Sequence, residues 1–179
     1  MTGVQTCALP ISGFGSWIHR YTEEIHYGGA ATATGMATTF WVAFTAGRVV
    51  AIPCARRFSP GWIIAGSMSL SVVAAALFAI FHGAGPMLWV VTALFAVSVA
   101  PQYASMMAFA ESHLALSGKN ASVLIGSSGI GGLLLPWLLG QLFASVGATS
   151  LPVVTLVMVV VTALVSAAIG RVLSGVQRS

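Results

Sequence analysis

Five runs of mainly apolar residues succeed one another along the chain, each about as long as the 20 residues an α-helix needs to cross a bilayer's hydrocarbon. They extend from about Ala30 to Pro53, Trp62 to Phe81, Pro86 to Ala110, Ala121 to Val146 and Pro152 to Leu173. The connectors EEIHYGG, RRFSPG, HGAGP, ESHLALSGKN and SVGATSLP are short and carry the Gly, Pro, Ser and charge that punctuate helices. Ahead of them, Gly13–Tyr21 (GFGSWIHRY) is apolar but too short to cross, and reads as the end of a truncated helix.

Only 6% of the 179 residues are charged and 58% are hydrophobic. A soluble globular chain carries about 25% charged residues. Seven basic and three acidic side chains cannot cover the surface of a soluble fold, which excludes a cytosolic enzyme, a nucleic-acid reader and a disordered linker. The expected fold is all-α: a polytopic transmembrane helix bundle embedded in lipid.

Met1–Ile11 (MTGVQTCALPI) lacks the basic n-region and long apolar run of a signal peptide. It looks like the translation of a common sequencing-library adapter. Residues 1–12 are therefore expected to be an artefact, with the transmembrane unit spanning 13–179. Cys7 then drops out, and Cys54 stands alone beside Arg56 and Arg57, without a disulfide framework or a CxxC metal spacing.

The basic residues set the orientation. Arg48, Arg56, Arg57, Lys119, Arg171 and Arg178 fall on or beside alternate connectors, while Arg20 sits on the opposite side next to Glu23 and Glu24. The positive-inside bias makes the basic side, and so the C-terminus, cytoplasmic in a multi-pass protein of the cell membrane.

Catalytic signatures are sparse. Glu111 and His113 have no second carboxylate or histidine at helical spacing, so an HExxH-type metal site is absent; His19, His26 and His82 are scattered at the outward rim. No enzyme and no metal site is expected. Gly126, Gly129, Gly131 and Gly132 are followed by no phosphate-loop lysine. Small residues at this spacing admit close helix packing or, with Pro136 one turn on, a bending cavity-lining helix.

Arg48, inside a span, is costly unless paired or snorkelling to the interface. Glu111 lies at the same end, so an Arg48–Glu111 or Arg57–Glu111 pair is a candidate gate. Gln102 and Tyr103 follow Pro101 in mid-span; Ser127 and Ser128 lie in the glycine run; Trp17, Phe40 and Trp41 add aromatic rings. Rings that stack on apolar faces and amides that bridge hydroxyls suit a small neutral polyol or sugar. These seven are the expected substrate-binding residues.

GFGSWIHRYTEE, TTFWVAFTAGRVVAIPCARRFSP and above all GKNASVLIGSSGIGGLLLPWLLGQLF resemble the C-terminal half of major facilitator superfamily transporters. The branch they are most similar to is that of sodium-dependent glucose transporter-like and fucose/glucose symporter-related proteins. The resemblance implies the second six-helix half of a twelve-helix protein, with substrate held between halves that rock to alternate access. Gly13–Tyr21 would then end helix seven, and the five spans would be helices eight to twelve. It also implies a sugar-like solute, a missing N-terminal half as partner, and no cofactor beyond a coupling Na+ or H+. Gly47-Arg48…Arg56-Arg57 resembles the family's loop motif between helices eight and nine, but lacks its usual acidic member. A non-transporting scaffold or accessory subunit of the same fold is the alternative.

Overall fold

The computed structural model describes residues 2–83, 85–113 and 118–176. They form seven helices: α1 (Thr2–Glu24), α2 (Ala30–Arg57), α3 (Pro60–Ile80), α4 (Pro86–Val99), α5 (Gln102–His113), α6 (Gly118–Val146) and α7 (Ser150–Val176). No strand occurs among the described residues. Ala30–Arg57, Pro60–Ile80, Pro86–Phe109 and Ser150–Ala168 are long and apolar enough to cross a membrane. The chain is an all-helical bundle of the transmembrane type.

Three of the expected spans match α2, α3 and α7 closely, and Pro53 proves to lie inside α2 rather than at its end. The span expected over Pro86–Ala110 is present as Pro86–Phe109, with a local interruption that divides it into α4 and α5. Pro101 has no N–H to offer the carbonyl one turn back, and the helix breaks at Ala100–Pro101 before resuming at Gln102. The segment Gly13–Tyr21 lies in the second half of α1, which runs from Thr2 to Glu24.

That segment is the hub of the core. Phe14, Ile18 and Tyr21 recur at helical spacing and are fully buried. The Phe14 ring meets Phe40 of α2 at 5.3 Å, Phe78 of α3 at 5.1 Å and Phe95 of α4 at 4.7 Å between centroids. Tilted and edge-on pairs of this kind add to the burial of the rings themselves. At the end of α1, the Tyr21 hydroxyl donates to the carbonyl of His82. Here α1 closes with His26 in the left-handed region (φ 53°). His26 N–H bonds Glu23 O and Tyr27 N–H bonds Thr22 O, the paired pattern that satisfies a helix's last carbonyls.

Close helix approach falls at glycines other than those expected. A Cβ on Gly47 of α2 would lie 2.8 Å from Ala100 Cβ and 3.0 Å from Val97 Cα, so α2 and α4 pack backbone to backbone there. Gly126, Gly129 and Gly132 of α6 meet nothing within 4 Å, so tight packing inside this bundle does not explain them. Gly131 lies outside the residues whose side-chain surroundings are described. The helix continues through Pro136 to Val146.

Candidate functional site: a hydroxyl-lined groove between α1 and α2

On α2, Thr34, Thr38, Trp41, Thr45 and Arg48 recur at intervals of three or four residues and fall within an arc of about 80° at 3.6 residues per turn. The opposite face, Ala33, Met36, Phe40, Phe44 and Gly47, is buried in the core. Thr34, Thr38, Trp41 and Thr45 of this stripe line an open groove of about 700 Å³ together with Ala37, Val42, Ala46 and Val49, and its α1 wall is His19. Thr34, Thr38 and Thr45 are exposed, so three hydroxyls are concentrated on one face of a spanning helix.

Each threonine is satisfied by its own helix. Thr34 Oγ1 donates to Ala30 O at 2.9 Å, Thr38 Oγ1 to Thr34 O at 2.8 Å, and Thr45 Oγ1 to Trp41 O at 2.8 Å. The single proton of each hydroxyl is thereby used, and its lone pairs remain to accept bonds from a solute. Trp41 is 47% exposed. Its ring is held edge-on by Phe40 at 5.1 Å and Phe44 at 5.9 Å. A Cβ on Gly15 would come within 3.0 Å of the indole, which shows how closely Trp41 lies across α1. An aromatic plane beside a row of acceptors can hold a molecule with apolar faces and peripheral hydroxyls.

His19 closes the groove at the Thr34 end. Its Nε2 is 3.5 Å from Thr34 Oγ1 and its Nδ1 is 3.8 Å from a Glu23 carboxylate oxygen. Arg20 also pairs with Glu23 and Glu24, each at 3.4 Å.

The residues expected at the substrate divide. Trp41 lines the groove. Phe40 does not reach it, because it belongs to the core face of the same helix. Trp17 is half-buried and stacks on Phe143 at 4.9 Å, and its indole N–H donates to the Pro136 carbonyl at 2.9 Å, joining α1 to α6. Gln102 is 1% exposed; its amide nitrogen faces Ser67 O at 3.3 Å, Ser71 Oγ at 3.1 Å and Ser98 O at 3.3 Å. It ties the start of α5 to α3 inside the bundle, immediately after the Pro101 break. Tyr103 packs half-buried against a small cluster of Ile64, Met68 and Met106. The side chains of Ser127 and Ser128 lie outside the described residues.

The expected gating pair is not formed in this structure. Arg48 points outward with its guanidinium 4.6 Å from the Phe44 ring centroid, a cation–π contact. Among the described residues, no ion pair joins Glu111 to Arg48 or Arg57, and the backbones of α2 and α5 do not approach each other closely. The described ion pairs are those of His19 and Arg20 with Glu23 and Glu24.

Sequence reasoning missed Thr34, Thr38, Thr45 and His19. The signal was present as a helical period of threonines around Trp41, but threonine is only weakly polar and rarely draws attention in an apolar span.

No family profile and no solved structure matches the chain. It is 32% identical over 133 residues to sodium-dependent glucose transporter 1 of Danio rerio, a match covering 74% of this chain and 22% of that protein. It is 31% identical over 119 residues to major facilitator superfamily domain-containing protein 4A of Danio rerio, covering 66% of this chain and 23% of the relative. A third match, sodium-dependent glucose transporter 1A of Mus musculus, is 29% identical over 72% of this chain and 30% of the relative. The chain thus spans roughly a quarter of the length of the curated relatives it matches. By sequence and by its bundle of apolar helices, it is a multi-pass membrane protein homologous to part of the major facilitator superfamily proteins of the sodium-dependent glucose transporter and domain-containing protein 4 group.

Proposed function

We propose that the chain is the C-terminal half of a secondary active transporter for a small neutral solute, most simply a sugar. The observation that carries this reading is the α2 stripe. Trp41 offers a ring for the solute's apolar face, and Thr38 and Thr45 offer acceptors for its hydroxyls. The groove is wide open on one side, as a half-site would be before an N-terminal half closes over it. The exposed glycines of α6 and the exposed Trp137 add a second unpartnered face of the kind two rocking halves need.

In this reading the basic end faces the cytoplasm in the cell membrane, and binding alternates between the two sides. The names of the relatives favour Na+ as the coupling ion over H+. The test is uptake of radiolabelled glucose in cells expressing the complete parental protein, with Trp41→Ala and Thr38→Val as variants. Saturable uptake that falls at least tenfold in Trp41→Ala is expected. Wild-type uptake in both variants would remove the groove from the transport path.

A further inference from the structure

On the side of the bundle away from α2, a second cavity of about 740 Å³ lies between α3, α5 and α7. Its lining runs along α3 from Gly61 to Val72 and along α7 from Val160 to Ala167, with Met106 and Phe109 of α5 as the third wall. The eleven steps from Gly61 to Val72 measure about 16 Å at the α-helical rise. One end of the groove therefore lies just past Arg56 and Arg57, and the other near the middle of the membrane-spanning length.

The groove is apolar apart from two hydroxyls. That of Ser69 donates to Ala65 O on its own helix at 2.9 Å. Ser166 Oγ is buried and has no hydrogen-bond partner. A buried hydroxyl left unpaired costs about 1–3 kcal/mol. It lies toward the Arg-flanked end, with the apolar length of the groove extending inward from it.

We propose that this groove binds a sterol-type lipid, a rigid flat hydrocarbon body with one hydroxyl that pairs with Ser166 once a χ1 rotation turns its buried Oγ to the groove. The polarity pattern selects it. A membrane sterol lies with its hydroxyl toward the interface and its rings toward the midplane, the direction in which this groove runs. A phospholipid headgroup would need charged or multiple polar partners inside the lining, and one free hydroxyl does not supply them. A flexible acyl chain also loses more conformational entropy on binding than a rigid ring system does. Met68 and Met106 are side chains that adapt to an irregular apolar surface. The site is separate from the α1–α2 groove, so this inference stands whether or not the transport reading does.

The experiment is photoaffinity labelling of the chain, purified into phosphatidylcholine nanodiscs, with a diazirine-bearing cholesterol analogue and mapping by mass spectrometry. Saturable labelling within 61–72, 106–109 and 160–167, displaced by unlabelled cholesterol, is expected. Ser166→Ala should weaken binding about fivefold, the worth of one neutral hydrogen bond, while Ser166→Thr should retain it. Ala65→Phe fills the groove from an exposed lining position and should abolish labelling there, with far-UV circular dichroism confirming an intact helical fold. Labelling spread evenly over all exposed helices, or unaffected by Ala65→Phe, would overturn the proposal. So would labelling there that unlabelled cholesterol fails to displace, which would mean that the phosphatidylcholine acyl chains already in excess compete equally for the groove.

Discussion

The indole N–H of Trp17 donates to the carbonyl oxygen of Pro136 across 2.9 Å, binding α1 to α6 at the residue where α6 lacks a backbone donor. The ring stacks on Phe143, and Gly140 lets it approach, since a Cβ there would sit 3.1 Å from the indole. Trp17→Phe should keep the stacking and lose the bond, lowering stability by about 0.5–1.5 kcal/mol. Thermal unfolding of the chain in detergent reads this directly. An unchanged melting temperature would mean that the bond contributes nothing.

Two sets of glycines should respond in opposite ways. Gly47→Ala places a methyl against Val97 of α4 and Ala100 at its end, and should destabilise the bundle by about 1–3 kcal/mol, the usual cost of overpacking. Gly126→Ala and Gly129→Ala meet open space and should leave the isolated chain no less stable. Equal effects at the two sets, measured by the same unfolding transition, would contradict the packing described here.

Gln102 is expected to act on stability rather than on solute. Gln102→Leu removes the amide that faces Ser67, Ser71 and Ser98 and should cost about 1–3 kcal/mol, with the affinity of folded protein for solute unchanged. Calorimetric titration of the complete protein alongside its melting curve separates the two. Lost affinity at unchanged stability would return Gln102 to the solute site.

Arg48 and Glu111 should behave independently. Because the backbones of α2 and α5 do not approach each other closely, the effects of Arg48→Gln and Glu111→Gln on stability should add within about 0.5 kcal/mol in the double variant. A coupling energy above about 1 kcal/mol would show that the pair forms after all.

Much of the helical framework was legible because hydrocarbon thickness dictates span length, and Ala30, Pro60 and Ser150 open helices within two residues of where apolarity begins. What the pattern could not supply was which neighbour each face meets. The shortness of Gly13–Tyr21 says nothing of its packing: Phe14, Ile18 and Tyr21 are central because α2, α3 and α4 bring phenylalanines to them. Pro101 was readable as a breaker. That Gln102 behind it would turn inward to α3 depends on a contact 31 to 35 residues away in sequence. Phe40 and Trp41 are adjacent yet lie on opposite sides of the helix's burial boundary, a distinction that needed the period of Thr34, Thr38 and Thr45 to be read around them.

The most direct test of the solute-facing groove is cysteine accessibility in the complete parental protein on a Cys54→Ser background. Thr38→Cys and Thr45→Cys should react with a membrane-impermeant thiol reagent, and saturating glucose should slow both reactions severalfold. Leu70→Cys on α3, an exposed apolar position away from the groove, should stay unreactive with or without glucose. Unreactive cysteines at 38 and 45, or reactivity that glucose leaves unchanged, would contradict the assignment of this face to the solute.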